Sequence, residues 1–97
     1  MRTLVFRLQA RSEIAQAANW YEEQNIGLGA EFLRAVDVTI SSIHHNPEQY
    51  QRTRGRMRRA ALRRFPYSVF YVLSGEEIII VGCVHGRRDP KRWQDRK

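Results

Sequence analysis

The sequence contains very few of the residues that build disulfides, linkers or membrane spans. Its single cysteine, Cys83, excludes an internal disulfide and favours a reducing, cytoplasmic compartment. No apolar run approaches the roughly 18 residues of a membrane-spanning helix, and Arg7 and Arg11 interrupt the first apolar stretch before it could form a signal peptide. No repeat or Pro/Gly/Ser-rich linker divides the chain. We therefore expect a single domain over residues 1–97 that does not engage membranes.

Lysine and acidic residues are also scarce in the second half of the chain. Residues 51–97 contain thirteen basic and four acidic residues, whereas residues 1–50 contain four basic and six acidic ones. The only lysines are Lys91 and Lys97, so nearly all of the basic charge is on arginine. A guanidinium stays charged at any accessible pH and grips phosphate or carboxylate groups bidentately. This composition predicts a polyanionic or acidic partner.

Hydrophobic periodicity predicts two helices after a first strand. The strand covers residues 3–8 and places alternate apolar side chains on one face: Leu4, Phe6 and Leu8. Ser12 is the expected N-cap of a first helix that ends near residues 24–25. A glycine-containing turn separates it from a second helix, which should end at Asn46-Pro47. We expect these helices to form an antiparallel hairpin.

Alternating patterns predict further strands in the second half of the chain. Residues 48–55 are expected to form a loop, and residues 56–64 and 67–73 two strands. The apolar run 77–85 is expected to form a central strand that is either covered on both faces or flanked by two neighbours. The resulting order, β-α-α-β-β-β, defines an α+β domain with a helical hairpin packed on a small antiparallel sheet. The pattern leaves open where the first strand joins that sheet.

An arginine cluster between residues 52 and 64 is the main candidate site. Seven arginines fall within thirteen residues that include no acid: Arg52, Arg54, Arg56, Arg58, Arg59, Arg63 and Arg64. These cations repel one another unless an anionic partner neutralises them, which favours a binding surface over a merely solvated one. Arg58 and Arg64 share a face with Leu62, so the alternative for them is a structural role with their aliphatic stems over the core.

The end of the sequence offers the remaining candidates. Arg87 and Arg88 follow the last predicted strand, and Trp93 is expected either to bind a partner or to cover the core. His85 is a candidate proton carrier, although a histidine at a strand end is more often a hydrogen-bonded structural residue. Cys83 and His85 share a face, but no further ligands are spaced to complete a zinc site. We expect neither a metal nor a cofactor.

Groups of residues that span nearly the whole chain carry a family resemblance. They are Asn19-Trp20-Tyr21-Glu22, Gly27-Leu28-Gly29 with Phe32, Asn46-Pro47, Arg63-Arg64-Phe65-Pro66-Tyr67, and His85-Gly86-Arg87-Arg88-Asp89-Pro90 with Trp93. In this order they resemble the ParE branch of the ParE/RelE toxin superfamily. The resemblance implies a type II toxin that a small antitoxin neutralises, ParD-like or another with an acidic C-terminal segment. It also implies that promoter DNA is bound only through the antitoxin.

The superfamily resemblance implies two alternative targets. ParE-like members poison DNA gyrase by protein contact, and RelE-like members cut mRNA on the ribosome. RNA cleavage needs a base, an acid and charge stabilisation at the phosphate. Because arginine shuttles protons poorly, the nuclease alternative depends on His85, with Arg59, Arg63 and Arg87.

The non-catalytic interpretation has its own set of expected residues. The residues expected to bind the antitoxin or the target are Arg54, Arg56, Arg58, Arg59, Arg63, Arg87, Arg88 and Trp93. A second alternative, which follows from composition alone, is a non-toxic basic module that binds nucleic acid.

Overall fold

The computed structural model describes residues 2–86, which form two helices and one five-stranded sheet. The elements are β1 (Thr3–Phe6), α1 (Leu8–Gln24), α2 (Leu28–His45), β2 (Arg52–Arg54), β3 (Met57–Ala61), β4 (Tyr67–Ser74) and β5 (Glu77–His85). The α+β class and the two consecutive helices are confirmed. The order gains one strand because β2, expected to be a loop, pairs with β3. Three residues are too few to show an alternating pattern.

The sheet has the strand order β1-β5-β4-β3-β2. It is antiparallel except at one edge, where β1 pairs with β5 in parallel. The helical hairpin supplies the long crossover that a parallel pair requires. β5 therefore has a neighbour on each side, as its continuous apolar run predicts.

Helix α1 begins earlier than the sequence indicates. It starts at Leu8 with Arg7 as its N-cap, so Ser12 lies inside the helix and caps nothing. Leu8 is 84% exposed and does not extend the apolar face of β1, which ends at Phe6. The predicted N-cap was wrong because the chain leaves the sheet as soon as the pairing of β1 with β5 stops.

That pairing stops at a β-bulge in β5. Phe70 pairs with Gly82 and Tyr71 with Ile80, so Val81 has no counterpart in β4. One extra residue inverts the alternation of side chains beyond it and bends the strand. The parallel ladder with β1 ends at Ile80, immediately before this bulge.

Strand β3 also ends earlier than predicted, at Ala61 instead of residue 64. The Leu62 N–H donates to the Tyr67 carbonyl at 2.9 Å, which closes the connection between β3 and β4. Within this connection Arg64 has a φ of +70°, a left-handed conformation that a strand does not accommodate.

Two apolar clusters lie on opposite faces of the sheet. The larger one lies under the helices and includes Phe32, Ile43 and Tyr71. The smaller one receives no residue from either helix. We call its side of the sheet the helix-free face, defined by six side chains: Met57, Phe70, Val72, Ile79, Val81 and Val84.

Candidate docking surface

The helix-free face has an apolar centre. Four of its side chains are at most 3% exposed: Met57, Phe70, Val81 and Val84. Val72 and Ile79 are half-buried beside them. Strand alternation places the members from β3 and β4 on this face, and the bulge brings Val81 and Val84 to the same side.

Arginines surround this apolar centre. Arg54 pairs in register with Met57, and Arg59 pairs with Phe70, so both belong to the helix-free face. Arg56 and Arg7 line a cavity of about 420 Å³ near the β4–β5 turn. We call Arg7, Arg54, Arg56 and Arg59 the basic rim. The structure therefore brings together three of the arginines that the sequence predicts to bind a partner.

Arg7 is the member of the rim that sequence reasoning missed. Its backbone N–H donates to the Ile80 carbonyl at 3.1 Å, which fixes it at the end of the parallel β1–β5 ladder. Parallel pairing between distant segments leaves no local pattern in the sequence. The only available sign was its charge, which does not reveal its place in the fold.

Arg58 lies on the opposite face of the sheet from its neighbour Arg59 and has a structural role. It pairs with Tyr71 on the helix side of the sheet, and its guanidinium donates to the carbonyls of Glu48 at 3.2 Å and Tyr50 at 2.6 Å. The Tyr71 hydroxyl donates to the Pro47 carbonyl at 2.6 Å. These bonds fix the segment between α2 and β2, so Arg58 is structural, as its shared face with Leu62 suggests.

The last two arginines of the cluster lie between β3 and β4. Arg64 forms an exposed ion pair with Glu31 of α2, with an N–O distance of 3.1 Å. Such exposed pairs contribute little to stability, about 0–1 kcal/mol. Arg63 is exposed beside it. The structure thus divides six of the seven clustered arginines between the rim, the loop anchor Arg58 and this connection, and the seventh, Arg52, pairs in register with Arg58.

His85 lies on the helix side of the sheet. It ends β5 opposite Tyr67, and the two ring centroids are 5.2 Å apart. Arg59 belongs to the other face. The structure therefore does not bring His85 and Arg59 together on one surface. The candidates Arg87, Arg88 and Trp93 lie outside the described residues.

The single thiol, that of Cys83, is buried. Burial raises the pKa of Cys83 from 9.0 to about 12, and the nearby Glu13 carboxylate adds to the rise. Among residues 2–86 there is no group of three or more His, Cys, Asp or Glu side chains that could hold a metal ion. Within the same range, neither helix is long and apolar enough to cross a bilayer.

The fold and the sequence both match known toxin–antitoxin proteins. Residues 4–90 match the family model described as the ParE toxin of the type II toxin–antitoxin system parDE. A solved structure titled as a chromosomal ParDE system from P. aeruginosa superposes with a TM-score of 0.66 at 19% identity, over 88% of this chain and 96% of that one. No curated protein matches by sequence. The chain therefore belongs to the ParE toxin family of type II toxin–antitoxin systems, a membership that implies an antitoxin partner.

Proposed function

We propose that this chain is a toxin that inhibits DNA gyrase by protein–protein contact, and that a ParD-like antitoxin with an acidic C-terminal segment neutralises it. The observation that carries the proposal is the basic rim beside the half-buried apolar side chains of the helix-free face, Val72 and Ile79. An apolar centre with a polar border is the usual composition of a protein-binding surface.

Charge supports an acidic partner. The net charge of the chain is +7, and its basic residues are concentrated in the same half that supplies most of the rim. Opposite potentials accelerate encounter and exclude wrong partners. An acidic segment that is disordered when free would fold onto this surface as it binds. Binding should therefore weaken as salt concentration rises.

The chemistry of the surface favours contact over catalysis. Arginine stabilises negative charge, but its guanidinium does not release a proton at neutral pH. His85, the candidate proton carrier, is on the other side of the sheet from Arg59. The arginines of the basic rim are therefore suited to binding an anionic surface and poorly suited to proton transfer.

A gyrase supercoiling assay tests the target directly. The purified chain should inhibit supercoiling at micromolar concentration. The double variant Arg54→Gln/Arg59→Gln should inhibit at least about tenfold less well. The matched control is Arg34→Gln/Arg52→Gln, which removes the same charge from exposed positions outside the rim and should stay within about threefold of the unmodified chain.

Three results would overturn the proposal. Undisturbed supercoiling at micromolar toxin would exclude gyrase as the target. Cleavage of mRNA on translating ribosomes that is lost in His85→Ala would establish the RelE-like endonuclease instead. Normal growth after induced expression in a naive bacterium would favour the non-toxic nucleic-acid-binding module.

A further inference from the structure

The cavity at the β4–β5 end of the helix-free face has the features of a specific subsite. Its volume of about 420 Å³ lies within the usual range for ligand pockets, about 300–1,000 Å³. Met57, Val72 and Ile79 supply an apolar floor, and Arg7 and Arg56 stand at its margin. A pocket of this size accepts one large apolar side chain and leaves both guanidiniums within reach of its neighbours.

Different hydrogen bonds position the two arginines, one through the side chain of Arg56 and one through the backbone of Arg7. The Arg56 guanidinium donates through Nη2 to the Leu73 carbonyl of β4. A guanidinium has five N–H donors, so this bond orients the group while leaving donors for a ligand. Arg7 is fixed by its backbone bond to Ile80. The Arg56 guanidinium is therefore preorganised, which lowers the entropy lost when a ligand binds, and the backbone of Arg7 is fixed at the cavity margin.

We infer that this cavity anchors an acidic partner segment through one apolar side chain, whose flanking carboxylates bind Arg7 and Arg56. Carboxylates on either side of an apolar residue match the arrangement of guanidiniums around the apolar floor, and each can form a charge-assisted hydrogen bond. The inference rests on the proposed neutralisation by an acidic antitoxin and names the point at which that segment is held.

Charge complementarity selects this occupant over two others. Residues 87–97 of the chain include six basic and two acidic residues, so they would bring like charge to the rim. A second copy of the chain would bring a net charge of +7. An acidic segment reduces the repulsion between the arginines, whereas either of the other occupants increases it.

The test uses a synthetic peptide with one leucine between pairs of glutamates, labelled with fluorescein and titrated with the full chain. Fluorescence anisotropy gives its Kd. A counterpart with glutamine for glutamate and another with alanine for leucine should each bind at least about tenfold more weakly. Val72→Lys and Arg56→Gln should weaken binding of the first peptide by a similar factor.

The control variants make the same chemical changes elsewhere. Val38→Lys alters a valine of α2 that is 64% exposed, and Arg34→Gln removes an exposed arginine from the same helix. Neither should change the Kd. If Val72→Lys unfolds the chain, as a thermal melt would show, Arg56→Gln still tests the subsite because its side chain is exposed.

Equal loss of affinity in the pocket and control variants would overturn the inference, because it would indicate diffuse charge attraction. Equal binding of the leucine and alanine peptides, or no binding at millimolar chain, would overturn it too. If the chain inhibits gyrase but does not bind the peptide, the subsite is wrong and the proposed target stands. If the chain binds the peptide specifically but does not inhibit gyrase, the proposed target is wrong and the subsite stands.

Discussion

The Glu13 carboxylate accepts a hydrogen bond of 2.9 Å from the backbone N–H of Cys83. Glu13 lies in α1, and Cys83 lies in β5 just beyond the bulge at Val81. β1 has ended at this level, so none of the strands within residues 2–86 lies on that side to accept the bond. A helix side chain thus completes the hydrogen bonding of a sheet edge.

Replacing Glu13 should therefore destabilise the fold. Glu13→Ala leaves the half-buried Cys83 N–H without its acceptor, which costs about 1–3 kcal/mol. Glu13→Gln keeps an oxygen acceptor and should retain at least half of the lost stability. Urea denaturation followed by circular dichroism measures both. Equal stability of all three proteins would show that water replaces the carboxylate without cost.

Gly29 should not tolerate even a methyl group. A Cβ at this position would lie 2.6 Å from the Ala18 carbonyl oxygen of α1, so the helices would have to separate. We expect Gly29→Ala to lower the free energy of unfolding by about 1–3 kcal/mol. Gly75→Asn is the control, since nothing lies within 4 Å of its position and asparagine tolerates its φ of +57°. Thermal denaturation compares the two variants.

Arg58 and Arg59 should separate stability from binding. Arg58→Ala removes the donor to the carbonyls of Glu48 and Tyr50, and we expect a loss of about 1–2 kcal/mol. Arg59→Ala, on the helix-free face, should change stability by less than about 0.5 kcal/mol while weakening inhibition of gyrase. A stability loss in Arg59→Ala as large as that in Arg58→Ala would contradict this division.

Alkaline pH should destabilise the protein above pH 9. Burial raises the pKa of Cys83 from 9.0 to about 12 and that of Tyr71 from 10.0 to about 12, the latter against a lowering effect of Arg58. The unfolded chain releases these protons first, so the contribution of these two groups to stability is constant below pH 9 and is lost between pH 9 and 12. Urea denaturation at several pH values measures the fall.

The cysteine contribution to this fall can be isolated. In Cys83→Ala the decline should begin nearer pH 10, where Tyr71 and Tyr21 contribute, because burial raises the pKa of both hydroxyls above 10.0. The thiol of the unmodified chain should also react slowly with a disulfide reagent at pH 8, because the reactive species is the thiolate. Fast reaction in the folded state would contradict the burial of Cys83.

Periodicity was sufficient for the elements whose pattern is long. Helix α2 ends at His45, with Asn46 as its C-cap, as the following proline predicts, and β4 and β5 follow the alternation and the apolar run. Periodicity did not predict element boundaries that depend on tertiary contacts. Ser12 is a favourable N-cap residue, yet α1 begins at Leu8 because the β1–β5 ladder ends before the bulge.

The candidate site, too, could be predicted from the sequence only in part. Composition was enough to locate the arginines of the second half, and their residue type was enough to predict an anionic partner. It could not assign Arg58 to a loop and Arg59 to a surface, because strand register determines which face each one occupies. Arg7 required knowledge of a pairing between segments some seventy residues apart, Phe6 with Ile80.

The unpaired Val81 makes β5 sensitive to changes in its length. Deleting any one residue between Gly82 and His85 would shift the residues that follow by one position. Their side chains would then move to the opposite face of the sheet, so that those facing the helices would face away and the reverse. Deleting Val81 itself would instead restore an uninterrupted register and leave Cys83 opposite Val69 on the helix side, because Ile80 and Cys83 would then be two positions apart. Apart from that deletion, length variants of residues 82–85 that still fold should gain or lose residues in pairs.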